Sequence, residues 1–324
     1  MKTRFLSKKT SLWGLALLLV IALPYTSVPT FVLRIASLIF IYSCVVSGLN
    51  LLVGYCGLLS LAQAGFFGVG AYTTALMNIH WKTSFLLNAV GAVLVTSAVA
   101  AVLGLSVLKL KGRYLIMATM GLNLVIQLVA SNAVFTGGPN GLPGIANPSI
   151  LGFEFSNAPS LYFLSLGGLA LVTAVIALLV NSPVGRKMIA VREDELAAEA
   201  IGINVAGTKL LTFTLAAAIA GLAGTFYAHN SQFIIYHTFA SSESFTLLAM
   251  LVVGGMGTIP GPVLGTALLM GLPEALRGAN LYRFLLYGFA LAVVTPLWPG
   301  GLASIRLRGK AGRQKRTLEG GKPA

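Results

Sequence analysis

Apolar residues run in long blocks with few interruptions. Charge-free stretches cover residues 10–33, 35–81, 83–108, 114–153, 155–185, 210–242, 244–273 and 284–305. A helix needs roughly 20 apolar residues to cross a bilayer, so several blocks hold one span and two are long enough for a pair. Spans are expected near 11–29, 31–53, 63–79, 85–108, 114–134, 161–180, 210–228 and 284–300, about eight full crossings, with a further interrupted one near 244–272. The fold class is an all-α polytopic membrane protein, with a single transmembrane domain over 11–305, an N-terminal tail over 1–10 and a basic tail over 306–324.

Composition narrows this reading. The chain is 56% hydrophobic and 9% charged, against about 25% charged in soluble domains, which excludes the soluble class. The net charge of +14 follows from topology. Of 22 Lys and Arg residues, 18 fall within 2–9, 109–113, 186–209 and 306–322, whereas the loop 135–160 has only Glu154. Cytoplasmic loops are enriched in Lys and Arg, so both termini and the loop 181–209 are expected in the cytoplasm and 135–160 outside. Nucleic acid is not needed to explain the bases. The apolar run Leu12–Leu23 follows four basic residues, as in a signal peptide, but no clear small-x-small cleavage site follows it, and it is read as the first span. Cys44 and Cys56 lie in apolar stretches without metal-ligand spacing and are read as inert core residues; no metal or cofactor is expected.

Charge parity exposes one irregular element. If 244–272 and 284–300 were both simple crossings, the basic tail would lie outside. The block is broken by Val253-Gly-Gly-Met-Gly-Thr-Ile-Pro-Gly-Pro262, and Gly and Pro interrupt helices through entropy, steric clash and a lost hydrogen bond. Two half-helices entering and leaving on the outer side restore the parity, and so do two stretched crossings. A second interrupted stretch runs from Leu52 to Gly65, with Gly68 and Gly70 beyond it. Paired interruptions point to a transport path near the bilayer middle, while small residues also serve close helix packing. The candidate path residues are Gln63, Gly65, Gly68, Gly254, Gly255, Gly257, Pro260 and Gly261. Arg34, His229, His237, Glu243, Glu274, Arg277 and Arg283 sit near span ends, where snorkelling explains most of them, and no carboxylate is expected at mid-membrane.

Four of the eight acidic residues, Glu193, Asp194, Glu195 and Glu199, fall within seven positions. Residues 192–201 are good helix formers and Gly202 is a plausible stop. One helix there would place Arg192, Glu195 and Glu199 on a charged face, with Leu196, Ala197, Ala200 and Ile201 on an apolar one. So short a helix must pack on something, either its own protein or a partner.

These residues carry a resemblance. Permeases of ATP-binding-cassette importers have a cytoplasmic Glu-Ala-Ala-x-x-x-Gly loop that docks on an ATPase. Here Leu196-Ala197-Ala198-Glu199-Ala200-Ile201-Gly202 keeps both alanines and the glycine, with Leu196 in place of Glu. Over roughly 40–300 the chain resembles branched-chain amino-acid importer permeases of the LivM type. The blocks that match are Gly48–Gly54, Leu59–Tyr72, Leu110–Tyr114, Thr136–Gly141, Ser182–Lys187 and Gly254–Pro262, with Gln63 where many relatives have His. The resemblance implies a second homologous permease, two cytoplasmic ATP-binding subunits and an external solute-binding protein as partners, beside membrane lipid. It also implies that Arg192, Glu193, Asp194, Glu195, Leu196, Ala197, Ala198, Glu199 and Gly202 form the coupling loop, and that the protein resides in the bacterial inner membrane. The chain has no phosphate-cradling Gly-x-x-x-x-Gly-Lys-Ser/Thr loop and no catalytic constellation, so it is expected to be no enzyme. A branched-chain amino acid is the expected solute; urea and short amides, or a secondary transporter or channel, are the alternatives.

Overall fold

The computed structural model describes residues 23–25, 29–150, 152–275 and 301. Most of the expected span 11–29, all of 284–300, the tails, Arg277 and Arg283 lie outside the described residues. Within them the chain is mainly helical, with two short ladders and connecting turns and loops. Five helices are long and apolar enough to cross a membrane. They correspond to the expected spans 31–53, 85–108, 114–134, 161–180 and 210–228; the expected span 63–79 is also a helix but is not among the five.

Helix α1 (Thr30–Asn50) starts after Pro29 and runs on through a π-turn at Leu51–Tyr55. It is followed by α2 (Gln63–Trp81), α3 (Phe85–Val107) and α4 (Arg113–Asn132). Then come α5 (Ala158–Asn181), α6 (Pro183–Glu193), α7 (Glu195–Ala200) and α8 (Val205–Ser231). Two shorter helices, α9 (Ser241–Gly254) and α10 (Gly261–Ala275), complete the described part. In the most apolar part of Thr30–Tyr55, 78% of residues are buried, and 61% in α8, but only 22–28% in α3, α4 and α5. The first two therefore form the centre, together with α2. The others turn Leu94, Val102, Met117, Leu128 and Leu178 outward, as lipid-facing or partner-facing helices do.

Small residues set the central spacing. A Cβ on Gly70 would overlap the Gly221 backbone, and one on Gly224 would overlap Ala71 and the Phe67 carbonyl, so α2 and α8 touch backbone to backbone. The Thr74 and Thr225 hydroxyls hydrogen-bond across that contact at 2.9 Å.

At one end of the bundle, Leu142 and Pro143 pair antiparallel with Ile234 and Phe233, and Ser149–Ile150 pairs with Phe153–Glu154. The segment Thr136–Gly141 is structural here: its threonine hydroxyl bonds the Ala130 and Ala133 carbonyls, closing the end of α4. Gly141, with φ of +72°, lies too close to the Ile234 carbonyl for a side chain. His229 bonds Asn88 and the Ala146 carbonyl beneath this ladder. Helices α6 and α7 occupy the opposite end.

The break near 254–261 separates two antiparallel half-helices. Gly254 meets Gly261 and Gly265, and Gly265 also meets the Met250 carbonyl. The turn lies at the α6–α7 end, and α10 returns beside α1 as far as Ile39. Gly301 lies against Gly254 and Gly255, so the chain is back at that end by this residue.

Candidate functional site

Residues 192–201 do not form one helix. Asp194 adopts an extended conformation (φ −160°, ψ 117°), ends α6 and caps α7, its Oδ1 accepting from the Leu196 and Ala197 amides at 2.8 and 3.1 Å. A carboxylate at a helix start satisfies free amides and complements the dipole, so the local preference of Asp194 overrides continuous helix. Ser182 caps α6 in the same way, with Pro183 as its first residue. Gly202 does stop the helix: φ is +83°, and the Gly202 and Ile203 amides reach back to the Glu199 and Ala198 carbonyls at 2.9 and 3.0 Å. That pair of bonds is a Schellman motif, whose left-handed residue favours glycine.

The expected charged face of Arg192, Glu195 and Glu199 is therefore not built. Glu195 instead pairs with Lys209 of α8 at 2.6 Å, where Lys209 is buried and the carboxylate partly exposed. Arg192 reaches the other way, donating from Nη1 to the Gly54 carbonyl at 2.5 Å. Its side chain also packs on Gly57, and its Nη1 borders Gly257.

Ala198 is buried against the chain itself, while Leu196 and Ile201 of the expected apolar side are each 76% exposed. Ala197, Ala200, Glu193 and Glu199 are exposed as well. The short helix thus rests on its own protein through Ala198 and Glu195, and presents the rest outward.

Arg192 leads to the glycine breaks, which meet each other. The Asn50 side chain, buried within α1, accepts from the Gly257 amide at 2.8 Å and donates to the Thr258 carbonyl at 2.8 Å. Gly54 lies so close to Gly257 that a Cβ there would overlap its backbone. Thr258 closes the turn, donating to the Gly255 carbonyl and accepting from the Gly261 amide. The junction stands at the α6–α7 end rather than mid-bundle. Asn50 was not singled out from the sequence; a polar residue deep in an apolar span is the signal that marks it.

The remaining path candidates pack closely. Gln63 is buried and donates to the Val45 and Ala216 carbonyls at 3.3 and 3.1 Å, stapling α1 to α8. Gly65 faces Asn123 and Gly68 faces the Phe239 ring. Gly255 and Gly257 take φ of +115° and +71° in the hairpin turn, and Pro260 precedes α10. Arg34 and His237 are exposed. Glu243 departs from the sequence expectation: it lies beside Tyr42, halfway along Thr30–Tyr55, and not at a span end. Cys44 and Cys56 are both free and buried, and no group of three or more metal-ligating residues exists among the described residues.

Long apolar helices around a glycine-packed centre, with a polar segment tied to a broken hairpin, define a multi-pass membrane protein of the permease type. Residues 31–294 match the family described as branched-chain amino acid transport system / permease component, and the chain belongs to that family. It is 36% identical over 309 residues to the high-affinity branched-chain amino acid transport permease LivM of Salmonella typhimurium, covering 87% of this chain and 72% of that one. It is 37% identical over 293 residues to LivM of Escherichia coli, covering 83% and 69%. To the companion-named LivH of Salmonella typhimurium it is 28% identical over 287 residues, covering 81% and 90%. No solved structure matches the chain.

Proposed function

We propose that this chain is one permease subunit of an ATP-binding-cassette importer for branched-chain amino acids in the bacterial inner membrane. It pairs with a second, homologous permease, takes its solute from an external binding protein and is driven by two cytoplasmic ATPases. The α6–α7 end is then cytoplasmic, as the Lys and Arg distribution supports. The observation that carries the reading is the exposed Leu196, Ala197 and Ala200 on a six-residue helix, with the exposed Ile201 at its C-terminal end. Bare apolar side chains on a polar segment mark a docking surface, and Arg192 and Asn50 lead from it to the hairpin. ATPase closure pushes α7, and Arg192 and Lys209 pass the displacement to the π-turn, the hairpin tip and α8. Selectivity resides chiefly in the binding protein.

The test is reconstitution of the full complex in liposomes. Leucine, isoleucine or valine, delivered by the binding protein, stimulates ATP hydrolysis and uptake, whereas urea and short amides do not. A cysteine at Ala197 cross-links to the ATPase. Transport by this chain without an ATPase overturns the reading.

A further inference from the structure

The start of α9 carries a polar feature that the α6–α7 junction does not use. After the ladder strand at Phe233–Ile234 the chain turns through Tyr236–Phe239 and begins α9 at Ser241, already inside the bundle. Its partners fix the depth. Asn123, midway along α4, donates to the Ser241 hydroxyl at 3.1 Å and the Phe239 carbonyl at 3.4 Å. The Ser244 hydroxyl accepts from the Ala64 amide at 3.2 Å. Between them Glu243 is half-buried, with its carboxyl beside Tyr42. Phe67 packs edge-on to Tyr42, Tyr227 and Phe239, with centroids 5.7, 5.3 and 5.2 Å apart, so the carboxylate stands at the rim of an aromatic cluster.

No Lys, Arg or His pairs with Glu243 among the described residues; the ion pair they contain is Lys209–Glu195. A carboxyl group at membrane depth stays ionised only where water reaches it or a cation completes it, and otherwise takes up a proton. Its partial exposure opens it to space outside the packed core. One carboxylate and one phenol supply too few oxygens for Ca²⁺ or Mg²⁺, which take six or more ligands. An ammonium group needs fewer: a carboxylate acceptor, a hydroxyl and aromatic edges and faces.

Resting on the transport reading, we propose that Glu243, at the aromatic rim beside Tyr42, is a transient binding site for the ammonium group of the solute in transit. The apolar side chain of the solute lies against the neighbouring aromatic rim.

The experiment uses the full complex in membranes. Thr246→Cys lies one turn from Glu243 on the same helix face; the parent chain, with Cys44 and Cys56 buried, supplies the background. With each rate divided by that reagent's rate on a free thiol in solution, the cationic methanethiosulfonate reagent is expected to label it about fivefold faster than the anionic one, through the local field, and Glu243→Gln abolishes that normalised preference. Leucine slows the cationic labelling, whereas its 2-hydroxy analogue, which lacks the ammonium group, does not. An unreactive cysteine, equal rates, a preference that survives Glu243→Gln, or equal protection by Na⁺ overturns the proposal. Uptake and ATPase assays on the same preparation judge the importer reading separately, because the labelling needs no turnover.

Discussion

The Asn50 side chain holds the backbone of Gly257 against α1: its Oδ1 accepts the Gly257 amide at 2.8 Å while its Nδ2 donates to the next carbonyl, that of Thr258, at 2.8 Å. One buried amide thereby joins the first glycine-interrupted helix to the tip of the broken hairpin. Arg192, bonded to Gly54 one turn away, brings the segment of α6 and α7 to the same place.

Asn50→Ala removes both bonds and leaves a part-buried amide and a part-buried carbonyl without their partners. The expected cost is about 1–3 kcal/mol, below the full penalty of two orphaned buried groups because water can reach them in part. Thermal unfolding of the solubilised protein measures it. Uptake falls further than ATP hydrolysis does, because the hairpin tip no longer follows α1.

Glu195→Ala strands Lys209, whose side chain is 7% exposed against 39% for Glu195. Stranding a fully buried charge costs about 3–5 kcal/mol, and the exposed carboxylate reduces this to about 1–3 kcal/mol. Lys209→Met combined with Glu195→Gln recovers most of the loss. A melting-temperature cycle over the three variants reads the coupling; single and double variants melting alike would show that the pair is not a stabilising contact.

Leu196→Asp and Ile201→Asp change side chains that are each 76% exposed. Stability moves by no more than about 0.5 kcal/mol, while ATPase co-purification and stimulated hydrolysis fall at least tenfold, an amount equivalent to about 1.4 kcal/mol of docking energy. Ala198→Asp shows the reverse order of effects, losing folded protein first, because Ala198 is buried in its own chain.

Gly70→Ala drives a methyl group into the Gly221 backbone. Overpacking of this kind costs about 1–3 kcal/mol. Gly121→Ala, where a Cβ meets nothing within 4 Å, is the matched control and is neutral or slightly stabilising. Thermal unfolding of the two variants distinguishes them.

Much of the architecture was legible along the chain. Apolar runs of sufficient length marked α1, α3, α4, α5 and α8, because length and transfer free energy are local properties. The stop at Gly202 and the break at Val253–Pro262 were equally legible, since φ > 0 and missing amide donors are properties of residue type. The expected single helix over 192–201 is split because Glu, Leu, Ala and Arg around Asp194 favour helix while Asp194 itself favours a cap, and its bonds to the Leu196 and Ala197 amides decide for the cap. The four residues expected on the apolar side, Leu196, Ala197, Ala200 and Ile201, are all exposed, while their neighbour Ala198 is buried in its own chain, a contact that only packing decides.

The sequence alone determined the solvent: 56% hydrophobic and 9% charged residues require a bilayer, and the positions of Lys and Arg bias the orientation. Pairing across the bundle was decided only by tertiary structure. That Arg192 meets Gly54, that Asn50 meets Gly257 across more than 200 residues of chain, and that Glu243 stands beside Tyr42 depend on which helices pack together. Hydrophobic runs say that a helix is buried in lipid or protein, but carry no direction. The closest approaches arise where glycines allow backbones to touch and where a buried polar group must find its partner.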